Sequence, residues 1–318
     1  MVKHSKNLIN GKLVAVTGGT GFIGGHVIES LLEAGANVVA LTRRPQAERE
    51  GVTWVEGSLT DTDSLERLCG GAHAVINLAG LTKAVNRDGF FDINVTATKN
   101  VFDAAAETGV KHVLHISSLA AREPRLSHYG ASKAGTELLL TARKWPFSWT
   151  ILRPPAIYGP GDKEILKLLK ATKFGILPAP GSVKNKISMI HAKDLADAIA
   201  ILAGGGNGSA ILEIDDGKTG GYQIREIAEA LVDSGQKPAK IFSLPFWAIG
   251  TIGAVNGAFA SAINRPAMLT YSTARYLCHP DWTVRQARRP NLPDWTPQFD
   301  LKAGLKDTTD WYKKNGLL

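Results

Sequence analysis

Hydrophobic positions along this 318-residue chain follow two alternating patterns. Short apolar runs rich in β-branched residues indicate buried strands, and stretches with apolar residues every three or four positions indicate amphipathic helices. The strand-like runs are residues 12–16, 37–41, 52–57, 73–79, 112–117, 149–154 and 210–214. The helix-like stretches between them are residues 22–34, 61–68, 91–107 and 132–144. Such alternation predicts an α/β protein with a doubly wound parallel sheet covered by helices on both faces.

One long stretch, residues 241–264, carries no charged residue. An ordinary surface helix has charges on its outer face, whereas here that face is small and only mildly polar. Three interpretations stay open: a helix buried in a second lobe, a hydrophobic pocket or a face resting on a bilayer, and a membrane-spanning helix. The glycines, the proline and the asparagines in the stretch argue against spanning. The apolar stripe consists of Phe246, Ile249, Ile252, Val255, Phe259 and Ile263.

The sequence TGGTGFIGG lies between the first predicted strand and the first predicted helix. Gly18 would allow the tight turn, Gly21 would let the backbone approach a pyrophosphate, and Gly24 would let the helix pack closely on the strand. The helix N-terminus would then direct backbone N–H groups at the phosphates. Because the required strand precedes and the required helix follows, the motif predicts a dinucleotide site in a Rossmann-type sheet.

The second predicted strand ends in LTRR, where an NAD-selective site usually carries an acidic residue for the ribose 2′-hydroxyl. Arg43 and Arg44 stand there instead, and two guanidinium groups would bind a 2′-phosphate strongly. The sequence therefore favours NADP(H) over NAD(H).

Two further motifs supply candidate chemistry: HISS ends the fifth strand, and YGASK opens the next helix. Tyr129 and Lys133 are four residues apart and so share one helix face. We expect the ammonium of Lys133 to lower the pKa of the Tyr129 phenol, which could then exchange a proton with a substrate oxygen. Ser118, at the carboxyl end of its strand, could hydrogen-bond the same oxygen, and Ser117 is a reserve candidate.

The alternation weakens after about residue 157, where proline and glycine become more frequent. Residues 1–160 are therefore predicted to form the dinucleotide-binding domain, to which residues 187–215 return. Residues 161–318 are predicted to form mainly a smaller, substrate-binding lobe.

The amino-acid composition limits the classes of partner that the protein is expected to bind. The net charge of +8 and the pI of about 9.4 suit phosphate ligands or an anionic membrane surface. The sequence has no run of basic residues interleaved with aromatic residues, so a nucleic-acid partner is not predicted. Two cysteines are too few for a disulfide framework or a cysteine zinc site, and no metal site is predicted. The first ten residues contain no signal-peptide core, so a cytoplasmic location, with peripheral membrane contact as an option, is expected.

These motifs, together with NLAG, INVTAT, LRPPAIYGPGD, ISMIHAKDLADAI and the final DLKAGLKDTTDWYKKNG, resemble the extended short-chain dehydrogenase/reductases of the NAD-dependent epimerase/dehydratase superfamily. The resemblance spans nearly the whole chain. It implies a catalytic set of Ser118, Tyr129 and Lys133 supported by Asn94. It implies cofactor contacts at Gly18, Thr20, Gly21, Phe22, Ile23, Gly24, Arg43, Arg44, Ser58, Leu59, Leu78, Ala79, Gly80, Tyr129, Lys133, Pro154, Ala156 and Ile157.

Departures from the family pattern bear on the substrate. Ser58 stands where the family often has an acidic residue that contacts adenine. Leu119 and Ala120 replace the Asp–Glu pair of the sugar-nucleotide dehydratases, so 4,6-dehydration is not expected. The loop in LRPPAIYGPGD also lacks the asparagine that is common in sugar-nucleotide enzymes. In these features the sequence resembles the branch of the family that contains hydroxysteroid dehydrogenases and ketone reductases. Bacterial ceramide or keto-sphingolipid reductases also resemble this pattern.

Three functions remain open. The first is an NADP(H)-dependent oxidoreductase that reduces a ketone, or oxidises a secondary alcohol, on a hydrophobic, lipid-like substrate such as a keto-ceramide or sterol. The second is a sugar-nucleotide epimerase, which would need cations such as Lys184, Lys186 and Arg225 to hold a diphosphate. The third is a non-catalytic, cofactor-binding accessory subunit, against which Tyr129 and Lys133 argue. A homodimer would be consistent with the family.

Overall fold

The computed structural model describes residues 8–205, 208–263, 265–267 and 269–318. Its strands are β1 (Leu13–Thr17), β2 (Asn37–Thr42), β3 (Val52–Glu56), β4 (Ala74–Asn77), β5 (His112–Ile116), β6 (Ser148–Arg153), β7 (Ala156–Tyr158), β8 (Ile176–Pro180), β9 (Lys186–Ile187), β10 (Met189–His191), β11 (Ala210–Glu213), β12 (Tyr222–Gln223), β13 (Lys240–Leu244) and β14 (Asp281–Trp282). Its α-helices are α1 (Phe22–Glu33), α2 (Thr62–Cys69), α3 (Arg87–Phe91), α4 (Ala97–Glu107), α5 (His128–Thr141), α6 (Lys163–Lys173), α7 (Ala192–Ala203), α8 (Ile224–Asp233), α9 (Phe246–Ala262), α10 (Tyr271–Leu277) and α11 (Leu301–Lys314).

Seven strands form one parallel sheet in the order β11-β6-β5-β4-β1-β2-β3. The predicted doubly wound α/β fold is confirmed. The strand order reverses between β1 and β4, and sheets of this kind bind ligands at the carboxyl ends of the strands beside such a reversal. The predicted strand at residues 210–214 joins the sheet as β11, next to β6.

Helices cover both faces of the sheet because its strands are apolar on both sides. On one face, α1 and α7 bury Ile28, Leu31, Leu195 and Ile199 against the strands. On the other face, α2, α4 and α5 bury side chains that include Leu65, Phe102 and Leu140. These two layers fix the carboxyl ends of β1, β4 and β5 at one edge, where the candidate site lies.

The second half of the chain builds a smaller set of elements around its own core. Here β8 pairs with β13, and β9 pairs with β12 and β14. Strand β7 pairs with β10. The core beneath these strands and α6, α8 and α11 contains Tyr158, Leu169, Leu177, Leu231, Leu305 and Tyr312. The division into a dinucleotide-binding domain and a substrate-binding lobe stays a prediction.

The uncharged stretch at residues 241–264 is not the buried helix that one interpretation expected. It forms strand β13 and helix α9, and Asn264 lies outside the described residues. Ile249 is buried, but Ile252, Val255, Phe259 and Ile263 of the same predicted stripe are exposed. The spacing of apolar residues identified the helix but not the side that it turns to the protein. No helix in the described ranges combines the length and apolar character needed to cross a membrane.

Candidate active site

The glycine loop between β1 and α1 adopts the conformation that the motif requires. Gly18 has a left-handed φ of 73°, and a Cβ at this position would lie 2.8 Å from the backbone nitrogen of Ala79. Gly24 is tighter still, because a Cβ there would lie 2.1 Å from the carbonyl oxygen of Gly18. The glycine loop therefore packs against the first turn of α1 and against the segment after β4. Both contacts are so close that only glycine fits.

Helix α1 begins with no side-chain cap, since its N-cap residue is Gly21. The first N–H groups of a helix lack intrahelical partners, and the helix dipole adds positive potential there. Phe22 and Ile23 open this first turn, and Thr20 is exposed in the loop before it. This arrangement fits a phosphate-bearing ligand.

Arg43 and Arg44 follow β2 and are both exposed. Thr42 Oγ1 donates to the carbonyl oxygen of Arg44 at 2.6 Å and so shapes the turn. Among the described residues, neither guanidinium is paired with a carboxylate. Both cations are therefore available to an anion at the end of β2.

Ser58 and Leu59 follow β3 and are half-buried. The hydroxyls of Ser58 and Thr60 lie 2.9 Å apart. The carbonyl of Leu59 accepts a hydrogen bond from Asn100 Nδ2 at 3.0 Å. These contacts fix the β3–α2 loop at the same carboxyl edge as the glycine loop.

A buried hydrogen-bond chain links the ends of β1, β4 and β5. Thr17 Oγ1 donates to Asn77 Oδ1 at 2.6 Å, and Asn77 Nδ2 lies 3.1 Å from Nδ1 of His115. The N–H of Ala79 donates to Thr17 Oγ1 at 3.2 Å. The sequence analysis did not predict these hydrogen bonds, although Thr17 and Asn77 are polar residues at the ends of otherwise apolar strands. It fixes the segment Leu78, Ala79 and Gly80 next to the glycine loop.

Asn94 lies in a π-helical turn, Asp92–Thr96, between α3 and α4. Its Oδ1 accepts from the N–H of Leu81 at 2.6 Å, and its Nδ2 donates to the carbonyl of Leu81 and to Ser132 Oγ at 3.0 and 2.9 Å. Single π-helical turns inside helices are frequent at functional sites. In this position Asn94 ties the loop after Gly80 to α5, so its side chain positions the site.

Ser118 and Tyr129 meet at the carboxyl end of β5. A hydrogen bond from Ser118 to the Tyr129 side chain lowers the pKa of the phenol, although burial raises that pKa more. Ser118 Oγ also accepts from the N–H of Ala120 at 3.2 Å, which caps a short 3₁₀ turn. The two hydroxyls predicted to bind one substrate oxygen are thus adjacent.

The expectation that Lys133 lowers the pKa of Tyr129 is wrong for this structure. Burial dominates and the net pKa of Tyr129 is above its usual 10.0, with Ser118 as the group that lowers it. The physical reason is that the phenolate would lose hydration, while Lys133 directs its Nζ to the carbonyl of Ile116 at 2.8 Å. Tyr129 is accordingly a protonated phenol at neutral pH.

Lys133 is buried, and burial lowers its pKa from 10.5 to about 8, with the carboxylate of Glu137 acting in the opposite direction. A Cβ added to Gly80 would lie 3.4 Å from Lys133 Nζ, so the ammonium reaches the segment after β4. The same charge lowers the pKa of buried His115 further, after burial itself, and keeps that imidazole neutral.

Ser117, the reserve candidate, is occupied elsewhere. Its hydroxyl donates to Glu137 Oε1 at 2.5 Å, and Glu137 also accepts from Arg153 Nε at 2.8 Å. Arg153 in turn lies 3.5 Å from Glu213 on β11. This buried network was missed because charged residues within a helix or a strand give no sequence signal of burial.

Pro154, Ala156 and Ile157 follow β6. The carbonyl of Pro154 accepts from the N–H of Leu119 at 3.1 Å, and Ala156 and Ile157 belong to β7. The loop therefore joins the segment that carries Ser118 to β7, which pairs with β10.

Aromatic residues surround Tyr129. The ring of Phe90, which is buried, lies 6.3 Å from that of Tyr129, measured between centroids. Tyr276 of α10 is close enough that Tyr129 contributes to raising its pKa, after burial. Nothing in the sequence indicated Tyr276, which is far from Tyr129 along the chain. Phe90 therefore places one apolar ring near the ring of Tyr129.

Residues 14–211 match the model of the NAD dependent epimerase/dehydratase family. A ceramide reductase of Caulobacter vibrioides is 37% identical over 313 residues, which cover 96% of this chain and 96% of that protein. The mitochondrial NADH dehydrogenase (ubiquinone) 1 alpha subcomplex subunit 9 of Dictyostelium discoideum is 30% identical over 250 residues, 74% of this chain and 68% of that protein. The solved structure of MoeE5 in complex with UDP-glucose and NAD shares the fold, with a TM-score of 0.74, 24% identity, and coverage of 96% of this chain and 99% of that one.

The fold and the site define an NAD(P)-dependent enzyme of the extended short-chain dehydrogenase/reductase type. The chain belongs to the NAD dependent epimerase/dehydratase family. A nicotinamide nucleotide is its cofactor class, and the glycines that leave no room for a Cβ, together with the uncapped start of α1, fit that group.

Proposed function

We propose that this protein is an NADP(H)-dependent reductase that converts a ketone on a hydrophobic, lipid-like substrate to a secondary alcohol, or catalyses the reverse oxidation. The observation that carries the proposal is the hydrogen-bonded pair of Ser118 and Tyr129, with Lys133 one helical turn away, beside the glycine loop. A keto-ceramide or a sterol is the kind of substrate intended.

A bound nicotinamide nucleotide would supply the hydride that adds to the carbonyl carbon. Tyr129 donates its phenolic proton to the carbonyl oxygen, which completes the secondary alcohol. Because burial raises the pKa of Tyr129, the phenol is protonated and ready to donate at neutral pH. Ser118 orients the substrate oxygen and stabilises the phenolate that remains. The ammonium of Lys133, close to Gly80, would instead help to hold the nicotinamide nucleotide.

The preference for NADP(H) is supported by Arg43 and Arg44. Both guanidiniums are exposed at the end of β2, where a dinucleotide of this fold places the 2′ position of its ribose. Unpaired arginines bind a phosphate through charge-assisted, bidentate hydrogen bonds.

The hydrophobic substrate is supported by the surroundings of Tyr129 and by the relatives. The ring of Phe90 lies near the phenol ring, and Leu119 and Ala120 are buried in the turn after Ser118. An apolar turn offers no carboxylate to remove a proton from carbon. The 37% identical relative is named a ceramide reductase.

A direct experiment supplies the purified protein with NADPH and a keto-ceramide in detergent micelles, and separately with UDP-glucose and the oxidised cofactor, NADP⁺ or NAD⁺. We expect the absorbance of the reduced cofactor to fall in proportion to the alcohol found by mass spectrometry, and no net change with UDP-glucose. Conversion of UDP-glucose without net cofactor consumption would instead identify an epimerase.

The epimerase alternative has one observation in its favour. Lys186 on β9 is the register partner of Gln223, two residues before Arg225, so two of the three candidate cations lie on neighbouring elements. All three, including Lys184, are exposed and could reach a diphosphate. The Dictyostelium relative suggests a third candidate, a non-catalytic accessory role. In that role the Ser118–Tyr129 pair would have no catalytic function.

A further inference from the structure

Helix α9 packs its smallest residues against the protein and turns its largest apolar residues outward. Gly253 lies against α10, where a Cβ would be 2.6 Å from the carbonyl oxygen of Thr270. On the outer side, the exposed fractions are 74% for Trp247, 61% for Ile252, 67% for Val255 and 66% for Phe259. A helix that faces water has the opposite arrangement.

The exposed apolar surface continues onto the β8–β13 ribbon, whose chain leads directly into α9. Phe242 and Leu244 of β13 are exposed, and their register partners on β8 are Pro178 and Pro180. Parallel register partners point to the same side of a ribbon. We call the combined surface the apolar face; its exposed large side chains are Phe174, Ile176, Phe242, Leu244, Phe246, Trp247, Ile252, Val255, Phe259 and Ile263.

The two chain segments that build the apolar face contain no acidic residue. Residues 165–193 and 234–280 carry lysines and arginines but no aspartate or glutamate. Lys240, Arg265 and Arg275 are exposed, and within the described ranges none of them is paired with a carboxylate. Lys173 and Lys237 line one depression at the same end of the ribbon as Phe174. Such a surface is apolar at its centre and cationic at its edge.

We propose that the apolar face docks on an anionic lipid bilayer. Its aromatic and aliphatic side chains enter the boundary between headgroups and acyl chains, and the surrounding cations bind the phosphates of the headgroups. A second copy of this chain is the less suitable occupant, because it would bring the same cations together with no acidic residue of either segment to pair with them.

Docking would place the active site beside the lipid. Helix α10 packs on α9 through Tyr271, whose ring lies 5.5 Å from that of Phe246, and carries Tyr276 close to Tyr129. This consequence, unlike the docking itself, rests on the proposed function, since it supplies a membrane-borne ketone directly to the site.

Co-sedimentation with vesicles tests the proposal. Full-length protein is mixed with vesicles of phosphatidylcholine, with or without phosphatidylglycerol, at low and high salt. The test variant carries Ile252→Gln and Phe259→Gln, two turns apart on the outer side of α9. The control variant is Leu138→Gln on α5, because Leu138 is 62% exposed and so matches the 61% of Ile252. Activity on a short, water-soluble ketone checks that each variant is folded.

We expect binding to phosphatidylglycerol vesicles that weakens with salt, since exposed charges are screened. We expect the double variant to lose at least about tenfold in partition coefficient, because a buried side chain of this size contributes that much or more. The control should bind like the wild type, and all three should reduce the soluble ketone equally. Absence of binding, equal binding by the double variant, or a dimer in sedimentation velocity that the double variant dissociates would overturn the proposal. Loss of ketone reduction in every protein, with vesicle binding intact, would count against the proposed function alone.

Discussion

Lys133 donates a hydrogen bond to the carbonyl oxygen of Ile116, and the two atoms are 2.8 Å apart. Ile116 is the last residue of β5, two positions before Ser118, so this contact holds the ammonium at the strand end from which Ser118 projects. The buried position that makes the contact also costs hydration, which is why the pKa of Lys133 falls to about 8.

The first prediction concerns the alkaline limb of the pH profile. The pKa of Lys133 is lowered, so its charge is present below about pH 8 and is lost as the pH rises through that value. If the ammonium of Lys133 helps to hold the nicotinamide nucleotide beside Gly80, kcat/KM for ketone reduction should decrease above about pH 8. A Lys133→Arg variant stays charged and should lose this limb, although its absolute rate should be lower because the guanidinium is larger. A profile unchanged by the substitution would remove Lys133 from the mechanism.

The second prediction concerns Glu137, one turn further along α5. Its negative charge raises the pKa of Lys133, so Glu137→Gln should lower that pKa and shift the alkaline limb to a pH below about 8. Glu213→Gln is the matched control, because Glu213 contacts the same Arg153 but does not contribute to the shift of Lys133. Equal shifts in the two variants would indicate a general structural effect instead.

The third prediction compares two neighbouring glycines in α1. A Cβ on Gly24 would lie 2.1 Å from the carbonyl oxygen of Gly18, whereas a Cβ on Gly25 has nothing within 4 Å. Gly24→Ala should therefore abolish binding of NADPH, or prevent folding. Gly25→Ala should bind NADPH normally and raise the free energy of unfolding by about 0.5–1 kcal/mol. Cofactor titration and chemical denaturation of both variants check this, and normal NADPH binding by Gly24→Ala would refute it.

The fourth prediction concerns cofactor preference. Replacement of both Arg43 and Arg44 by alanine should raise KM for NADPH by about 10- to 100-fold, because charge-assisted hydrogen bonds to a 2′-phosphate are lost. The KM for NADH should change little. Arg143→Ala, which removes an exposed arginine paired with Asp103 on another surface, serves as the control. A parallel rise in both KM values would show that the arginines do not contact the 2′ position.

Local patterns predicted the sheet because each of its strands is a short apolar run, and the run at residues 210–214 indicated the strand that joins it as β11. They also predicted the glycine loop, since the consequences of Gly18 and Gly24 depend on residues close by in the chain. The carboxyl end of β5 and the start of α5 lie close together in the chain, so local motifs could suggest Ser118 and Tyr129 as a pair, and their shared catalytic role stays a prediction.

Contacts between residues far apart in the chain could not be predicted from the sequence. Tyr276 lies far from Tyr129 along the chain, and nothing near either residue in the sequence indicates that the two side chains interact electrostatically. No sequence pattern singled out Glu137 and Arg153, whose nearly buried side chains form an ion pair in the folded protein. The stripe on α9 was visible, but its direction depends on the contact between Gly253 and α10, which spacing cannot reveal. The sign of the pKa shift at Tyr129 failed for the same reason, because burial is a property of the whole fold.

The most direct measurement is a single-turnover reduction of a keto-ceramide by Tyr129→Phe, with the enzyme preloaded with NADPH. The substitution removes the phenolic hydroxyl and keeps the ring that packs on Phe90. We expect normal NADPH binding and a rate at least about 100-fold below that of the wild type, because a general acid usually contributes that much. A variant that forms the alcohol at the wild-type rate would contradict the central claim that Tyr129 supplies the proton.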